Sequence, residues 1–363
     1  MTPPRSPSTS RRAGPLARSG PLLRRRVAAL TLALAVAGTA CGQAPPPPTA
    51  GSPAPATGSA ATAAPATRQL NPSATPHPSA DAGRFHVARS AIRLPVARSR
   101  AVALAFGSTI LVCGGLTGAG TTTGSIEQID LPFGVVSGAG ALASAVHDAG
   151  GAVLDGVGFV LGGGRLIAAS VVQRVGQAGD TRDIGHLPAP RADLVALALD
   201  GEIVVVGGGT PAHPDGQVLA TTDGRHFRTV ATLGVAVRYP AVAALGGLVY
   251  VIGGSTPAGD SRSIQAVDPG TGIVRTIGHL AHGLTDASAF VIGGALIVAG
   301  GRTAGRAQSA ILQLDTASGT VTTVGRLPYA VSDAAAVVVD GTGYLIGGED
   351  TGLLASVVTI APR

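Results

Sequence analysis

The stretch GEIVVVGGGT, from Gly201 to Thr210, joins a run of strand-forming residues to three successive glycines. The β-branched residues at 203–206 are typical of a buried strand. Glycine weakens a strand because it has no side chain to pack. The glycines could therefore form a phosphate-binding loop, or they could end a strand where backbones crowd together. The rest of the chain distinguishes these two interpretations, because the same pattern recurs.

Apolar strands that end in Gly-Gly occur six times, and a leucine stands 20 residues before each pair. A turn pair such as Asp200-Gly201 lies between these two markers in every repeat, and such pairs favour type I′ hairpins. No helical pattern follows any of the glycines, which excludes the phosphate loop. Four strands per repeat of about 47 residues predict an all-β fold, a six-bladed β-propeller. The first glycines of the six pairs are Gly114, Gly162, Gly207, Gly253, Gly300 and Gly347.

Residues 84–363 resemble the kelch-repeat family through the Gly-Gly strand ends, the Leu-Pro openings and the arginines of LPVAR and LPAPR. The resemblance implies a kelch-type propeller with four antiparallel strands in each blade. The chain ends on a third strand, SVVTIAPR, and the domain begins with RFHVARSAIRLP, which is similar to a fourth strand and a repeat opening. We therefore expect residues 85–92 to pair with residues 356–360 in the last blade and close the ring.

The N-terminal segment is predicted to direct export. Three arginines at 24–26 precede a 14-residue apolar run that ends in small residues, which is too short to span a membrane and typical of a signal peptide. Cys41 follows directly, so the segment resembles a bacterial lipoprotein signal. The resemblance implies cleavage after Ala40, a lipid on Cys41, and a lipid-anchored location at the cell surface or on the periplasmic side of the membrane. Ordinary signal-peptidase cleavage after Ala40 is the alternative, and it also predicts export.

Composition divides the chain into a signal peptide at 1–40, a disordered tether at 41–83 and the propeller at 84–363. The tether is rich in Pro, Ala and Thr and has too few large apolar side chains to build a core. The net charge of +6 belongs to the leader, because residues 84–363 hold 18 Arg and 19 acidic residues. This excludes nucleic acid as an expected partner. With Cys41 modified, only Cys113 remains, and its place in ILVCGG predicts a buried thiol.

The loops predict which face of the propeller functions. Connections between the second and third strands of a blade, and between blades, lie on one face, which we call the mouth face. They are longer than the turns on the opposite side, the short-turn face, and long loops on a rigid scaffold usually carry recognition.

A polar residue stands fourteen positions before each glycine pair, at the start of each first strand. Six-fold symmetry would gather these residues around the channel on the mouth face, where four carboxylates could bind a divalent cation, a polyol or a basic group. Alternatively, each Asp could cap its own turn. Arg98, Arg191 and Arg238 lie nearby as counter-ions or as clamps for an anionic ligand. The six positions, called the ring residues below, are Arg100, Asp148, Asp193, Tyr239, Asp286 and Asp333.

We therefore predict a monomeric binding module for a protein or glycan ligand, without a cofactor and with no metal assigned. The alternative is a carbohydrate-active enzyme of the sialic acid mutarotase kind, which the kelch resemblance allows and for which the Asp and Arg side chains would act as acid and base. The copper chemistry of galactose oxidase, another kelch propeller, is not expected, because Cys113 ends a repeat strand and the four tyrosines are scattered.

Overall fold

The computed structural model describes residues 85–363, so the predicted signal peptide and tether lie outside the described residues. Within this range the fold is all-β, with a single 3-10 turn at Gly118–Gly120 and no α-helix. No described helix is long and apolar enough to cross a membrane. Six antiparallel four-stranded sheets surround a central channel, which confirms the predicted six-bladed β-propeller.

The first and second strands of each blade form a hairpin at the channel. In blades 2 to 6 both turn residues have positive φ, as type I′ turns require, for example Asp155 at 50° and Gly156 at 73°. The six hairpins, from blade 1 to blade 6, are Val102–Phe106 with Thr109–Cys113, Gly150–Leu154 with Val157–Leu161, Ala192–Leu199 with Glu202–Thr210, Ala241–Leu245 with Leu248–Ile252, Ser288–Ile292 with Ala295–Ala299, and Ala335–Val339 with Thr342–Ile346.

The third and fourth strands complete each blade toward the outside. In blade order they are Ser125–Asp130 with Val135–Ala141, Val171–Val175 with Thr181–His186, Gln217–Thr221 with Arg228–Thr232, Ser263–Asp268 with Ile273–His279, Ala310–Leu314 with Val321–Arg326, and Ser356–Pro362 with Phe85–Arg93.

Four short strand pairs lie in the mouth-face connections. They are Leu116–Thr117 with Thr121–Thr122, Ser255–Thr256 with Gly259–Asp260, Arg302–Thr303 with Arg306–Ala307, and His213–Pro214 with the end of Glu202–Thr210.

The N-terminal strand closes the ring as predicted. Phe85 pairs with Pro362 and Arg93 pairs with Ser356, so the first described strand is the fourth strand of blade 6. Because Ser356 follows a mouth-face connection, the antiparallel register puts Phe85 and Pro362 at the short-turn face. Both ends of the described chain therefore leave from that face.

The hydrophobic core consists of six clusters, each shared by two neighbouring blades. Between blades 2 and 3, for example, Leu161 and Val172 pack with Ile203 and Val205, and all four are fully buried. Burying an aliphatic side chain of this size stabilises a fold by roughly 1.5–3 kcal/mol. The second strands are apolar on both faces because each blade is covered on both sides, which accounts for runs such as residues 203–206.

The glycine pairs join each blade to the next. The N–H of Gly208 donates to the carbonyl oxygen of Val237 at 2.9 Å, and a Cβ on Gly207 would lie 2.7 Å from the same oxygen. Both glycines also have positive φ. Side chains are therefore excluded where two blades meet. The same hydrogen bond recurs six times, from Gly115 to Val146, Gly163 to Arg191, Gly208 to Val237, Gly254 to Leu284, Gly301 to Val331, and Gly348 to Arg98.

One detail of blade 3 differs from the prediction that the strand ends at its glycines. The second strand continues through them to Thr210. The extension forms because Gly209 and Thr210 pair with Pro214 and His213 in the following connection.

Candidate functional site

All six ring residues adopt the left-handed backbone conformation, with φ between 53° and 63°. Asp tolerates this region better than most residues, because its short polar side chain hydrogen-bonds locally. Arg100 and Tyr239 have no such advantage and carry a cost of about 1–2 kcal/mol each. Strained conformations persist where the surroundings hold them, and they cluster at functional sites.

A closed circle of backbone hydrogen bonds holds these six residues. Each N–H donates to the carbonyl oxygen of the ring residue one blade earlier, so every blade is joined to its neighbours on both sides. The donors and acceptors are Asp148 to Arg100 (3.0 Å), Asp193 to Asp148 (2.8 Å), Tyr239 to Asp193 (2.9 Å), Asp286 to Tyr239 (3.2 Å), Asp333 to Asp286 (3.0 Å) and Arg100 to Asp333 (2.8 Å).

The six side chains line one end of the central cavity, whose volume is about 600 Å³. The structure therefore brings together all four carboxylates, which do not point outward into separate turns. Ligand binding by this ring stays a prediction.

Arg100 extends across the mouth of the channel. Its guanidinium lies 3.2 Å from Asp148 of the next blade and 3.4 Å from Asp333 of the preceding one. Nη1 also donates to the hydroxyl of Tyr239, three blades away, at 3.2 Å. Glu349 lies 3.3 Å from Nε. A single arginine thus supplies the compensating charge that converging carboxylates require.

Two more arginines pair with acids of the mouth. Arg238 forms an ion pair with Asp193 and stacks on the Tyr239 ring, with 5.0 Å between the guanidinium carbon and the ring centroid. Arg302 lies 3.3 Å from Asp333 and 2.8 Å from Glu349. The mouth therefore holds three guanidinium groups against five carboxyl groups.

Burial changes the titration of the ring. It raises the pKa of Asp148 to about 7, against the opposing effect of Arg100. Burial and the neighbouring carboxyl of Asp333, which also hydrogen-bonds Asp286, raise the pKa of Asp286 to about 8. The pKa of Asp193 is likewise raised by burial, despite Arg238. Burial lowers the pKa of Arg100, but the surrounding acids together reverse this and raise it overall. These shifts favour the protonated forms of Asp148 and Asp286 near neutral pH.

Arg98 and Arg191 lie apart from the cavity. Both side chains are 1% exposed. Arg98 pairs with Glu127 at 3.0 Å, and Arg191 pairs with Asp215 at 2.7 Å. Neither residue lines the channel, so the structure unites Arg238 with the ring but not these two arginines.

The sequence analysis does not identify Glu349 and Arg302 as mouth residues, although their positions in the repeat indicate this location. Each directly follows a glycine pair, and its backbone forms a bridge with the residue just before a ring position, Ser332 or Thr285. Residues after the glycine pairs thus reach the mouth, as the ring residues do. The position directly after each glycine pair therefore predicts that these two charged residues lie at the mouth.

No group of three or more His, Cys, Asp or Glu in residues 85–363 has the geometry of a metal site. Cys113 is buried, and burial raises the pKa of its thiol to about 12. A thiol in this state is a poor nucleophile.

Comparisons with known proteins agree with the fold. The kelch motif matches residues 236–279, which span Tyr239 and the four strands of blade 4. The chain is a six-bladed β-propeller that carries a kelch motif in its fourth blade. The solved structure of YjhT is similar, with a TM-score of 0.65 and 15% identity over 74% of this chain and 96% of that chain. It is one of 892 structurally similar chains, so the likeness shows the fold and not an activity. No curated protein matches the sequence.

Proposed function

We propose that this propeller is an exported, lipid-anchored binding module that recognises a protein or glycan ligand with its mouth face. The position at which the described chain begins is consistent with binding through the mouth face. Phe85, where the described chain begins, lies at the short-turn face through its pairing with Pro362. The residues that link Cys41 to the propeller would therefore join it at the short-turn face, so the connection itself need not cover the mouth face.

One loop tip on the mouth face carries the proposal. In the blade 2 connection, Leu166 is 99% exposed and Ile167 is 83% exposed, beside the exposed Arg165. Single exposed apolar residues are common, but two adjacent and almost fully exposed ones at a loop tip favour a contact with another molecule. The charged groups of the ring are mostly committed to internal ion pairs, which favours recognition over catalysis.

The ligand can be sought by cross-linking on intact cells and on a glycan array. We expect the double variant Leu166→Ser/Ile167→Ser to lose at least ten-fold in binding to any ligand found. The matched control is Phe133→Ser, because Phe133 is 80% exposed in a short-turn-face hairpin. Equal loss in both variants, or loss only in Phe133→Ser, would show that the ligand does not bind through the loop tip of the mouth face.

Export and lipid anchoring are tested separately from ligand binding. Cys41→Ala should move the protein from the membrane fraction into the soluble exported fraction. If mass spectrometry finds a mature N-terminus other than residue 41 with no lipid, the anchor is wrong and ordinary signal-peptidase processing replaces it.

The second candidate is an enzyme of the sialic acid mutarotase kind, and the raised carboxyl pKa values favour it. General acids and bases work best when their pKa lies near the working pH, as it does for Asp148 and Asp286. Anomer exchange of N-acetylneuraminic acid, followed by NMR, decides the matter. No acceleration by the wild-type chain, or equal acceleration by Asp148→Asn, would exclude this activity.

A further inference from the structure

The channel below the ring has an aliphatic wall. Its lining consists of the first strands of the six blades, and Ser288 is the one lining residue outside the ring with a polar side chain. Representative wall residues, one from each blade, are Ala103, Val153, Val195, Ala244, Ala289 and Ala336. Such a wall offers no hydrogen bonds to a polyol, but it suits an alkyl chain.

The two ends of this channel differ. At the mouth face, Arg100 lies across the ring, and the Asp193 and Asp333 side chains are only 1% and 2% exposed. At the other end, Val338 is 36% exposed. The ring therefore forms the mouth-face end of the channel, here called its floor, and the aliphatic wall extends from it toward the short-turn face. The first strands have five residues in five of the six blades, and at about 3.3 Å per residue the wall is roughly 17 Å long.

The floor contains one acid, Asp286, that forms no direct ion pair in the described part of the chain, although the charge of Arg100 still acts on it. Arg100 pairs with Asp148 and Asp333, and Arg238 pairs with Asp193. Asp286 lies beside the carboxyl group of Asp333, and among the ion pairs within residues 85–363 it has none. Unlike its neighbours, Asp286 has a carboxyl group that a cation entering the channel could neutralise.

We propose that the channel binds a linear primary alkylamine, whose ammonium group pairs with Asp286 and whose alkyl chain lies along the aliphatic wall. The site is separate from the loop tip of the mouth face and does not rest on the proposed function. An alkyl carboxylate would meet repulsion from the acidic floor. An alkyl alcohol would gain the contacts of the wall without the ion pair.

The test is calorimetric titration of the purified chain with hexylamine, octylamine, octanol and octanoate at pH 8.5. At this pH Asp286 is mostly ionised and the amines remain protonated. Each buried methylene should tighten binding about four-fold. Octylamine, with two more methylenes, should therefore bind roughly fifteen-fold tighter than hexylamine, and octanoate should bind weakest.

Two variants locate the site. Asp286→Asn should remove the preference for octylamine over octanol, whereas the matched control Asp260→Asn, an exposed acid on the mouth face, should leave it unchanged. Ala336→Leu narrows the channel and should weaken octylamine and octanol alike. The proposal is overturned if octylamine does not bind at millimolar concentration, if octanoate binds as tightly, or if Asp286→Asn or Ala336→Leu has no effect. Leu166→Ser/Ile167→Ser should not alter these titrations, which keeps this test distinct from that of the mouth face.

Discussion

Two groups of arginines in this propeller behave differently. Arg98 and Arg191 are buried and each pairs with one acid of its own blade. Arg100 and Arg302 are about one-fifth exposed, at 23% and 22%, and pair with acids of neighbouring blades, two of which they share. A shift of two residues from Arg98 to Arg100 moves the side chain from the blade interior to the channel. Position in the repeat, more than residue type, decides the role.

The largest effect is expected from Arg98→Val. The equivalent residue in blade 2 is Val146, so the position accepts an apolar side chain. The change leaves Glu127 buried without its cation, which should cost about 3–5 kcal/mol of unfolding free energy. Urea denaturation measures the loss, with Arg165→Ala in the exposed loop as the control that should change little.

A rescue variant tests the reason for this loss. In blades 2 and 4 a glutamine occupies the Glu127 position and bonds the backbone of the blade's own opening segment, as Gln173 does with Ser144. The double variant Arg98→Val/Glu127→Gln copies this arrangement and should recover most of the lost stability. If it stays as unstable as the single variant, the uncompensated charge is not the cause.

The two groups of arginines also show which features can be predicted from the sequence and which cannot. The fold, the ring positions and the closing strand follow from the repeat, because a propeller repeats one geometry in every blade. The buried position of the Arg98 side chain cannot be predicted in this way, because apolar residues occupy the equivalent position in blades 2, 4, 5 and 6. The contact from Arg100 to Tyr239 crosses the channel between different repeats. Nothing in the local pattern encodes it, so it required the three-dimensional structure.

Arg100→Met should have a smaller effect, about 2–3 kcal/mol. Asp148 and Asp333 would lose a shared cation, but Asp148 can take up a proton and Arg302 still pairs with Asp333. Arg100→Lys is the matched control. Lysine keeps the positive charge, but its ammonium group cannot contact several acids at once as the planar guanidinium group does. The melting temperature of Arg100→Lys should therefore lie between those of the wild type and Arg100→Met. Equal stability of wild type and Arg100→Met would mean that the arginine does not join the blades.

Stability should also fall as the pH rises from 6.5 to 8.5. Asp148 and Asp286 have folded pKa values of about 7 and 8, raised from 3.8, so the folded chain holds protons that the unfolded chain has released. Their contribution is complete below the unfolded pKa and is lost as the pH passes the folded values. One proton corresponds to about 1.4 kcal/mol per pH unit, so roughly 2 kcal/mol should disappear in this range.

Urea denaturation at three pH values measures this slope. Asp286→Asn should flatten it, and Asp260→Asn should not. His147 has the opposite sign, because burial and Arg100 lower its pKa below 6.5, but its contribution changes below the chosen range. An unchanged slope in Asp286→Asn would show that this carboxyl is ionised in the folded chain at neutral pH.

The smallest effect is expected from Arg302→Met, below about 1 kcal/mol. Its guanidinium is partly exposed, and both of its acidic partners also contact Arg100, so either arginine alone can neutralise them. This redundancy predicts coupling. Removing both arginines leaves Asp333 and Glu349 without a cation, so Arg100→Met/Arg302→Met should lose more stability than the two single variants combined. The combination Arg98→Val/Arg302→Met, whose members share no partner, should show simple additivity. If the stability losses add in both double variants, Arg100 and Arg302 act independently. The mouth arginines would then differ from the buried arginines only in their exposure.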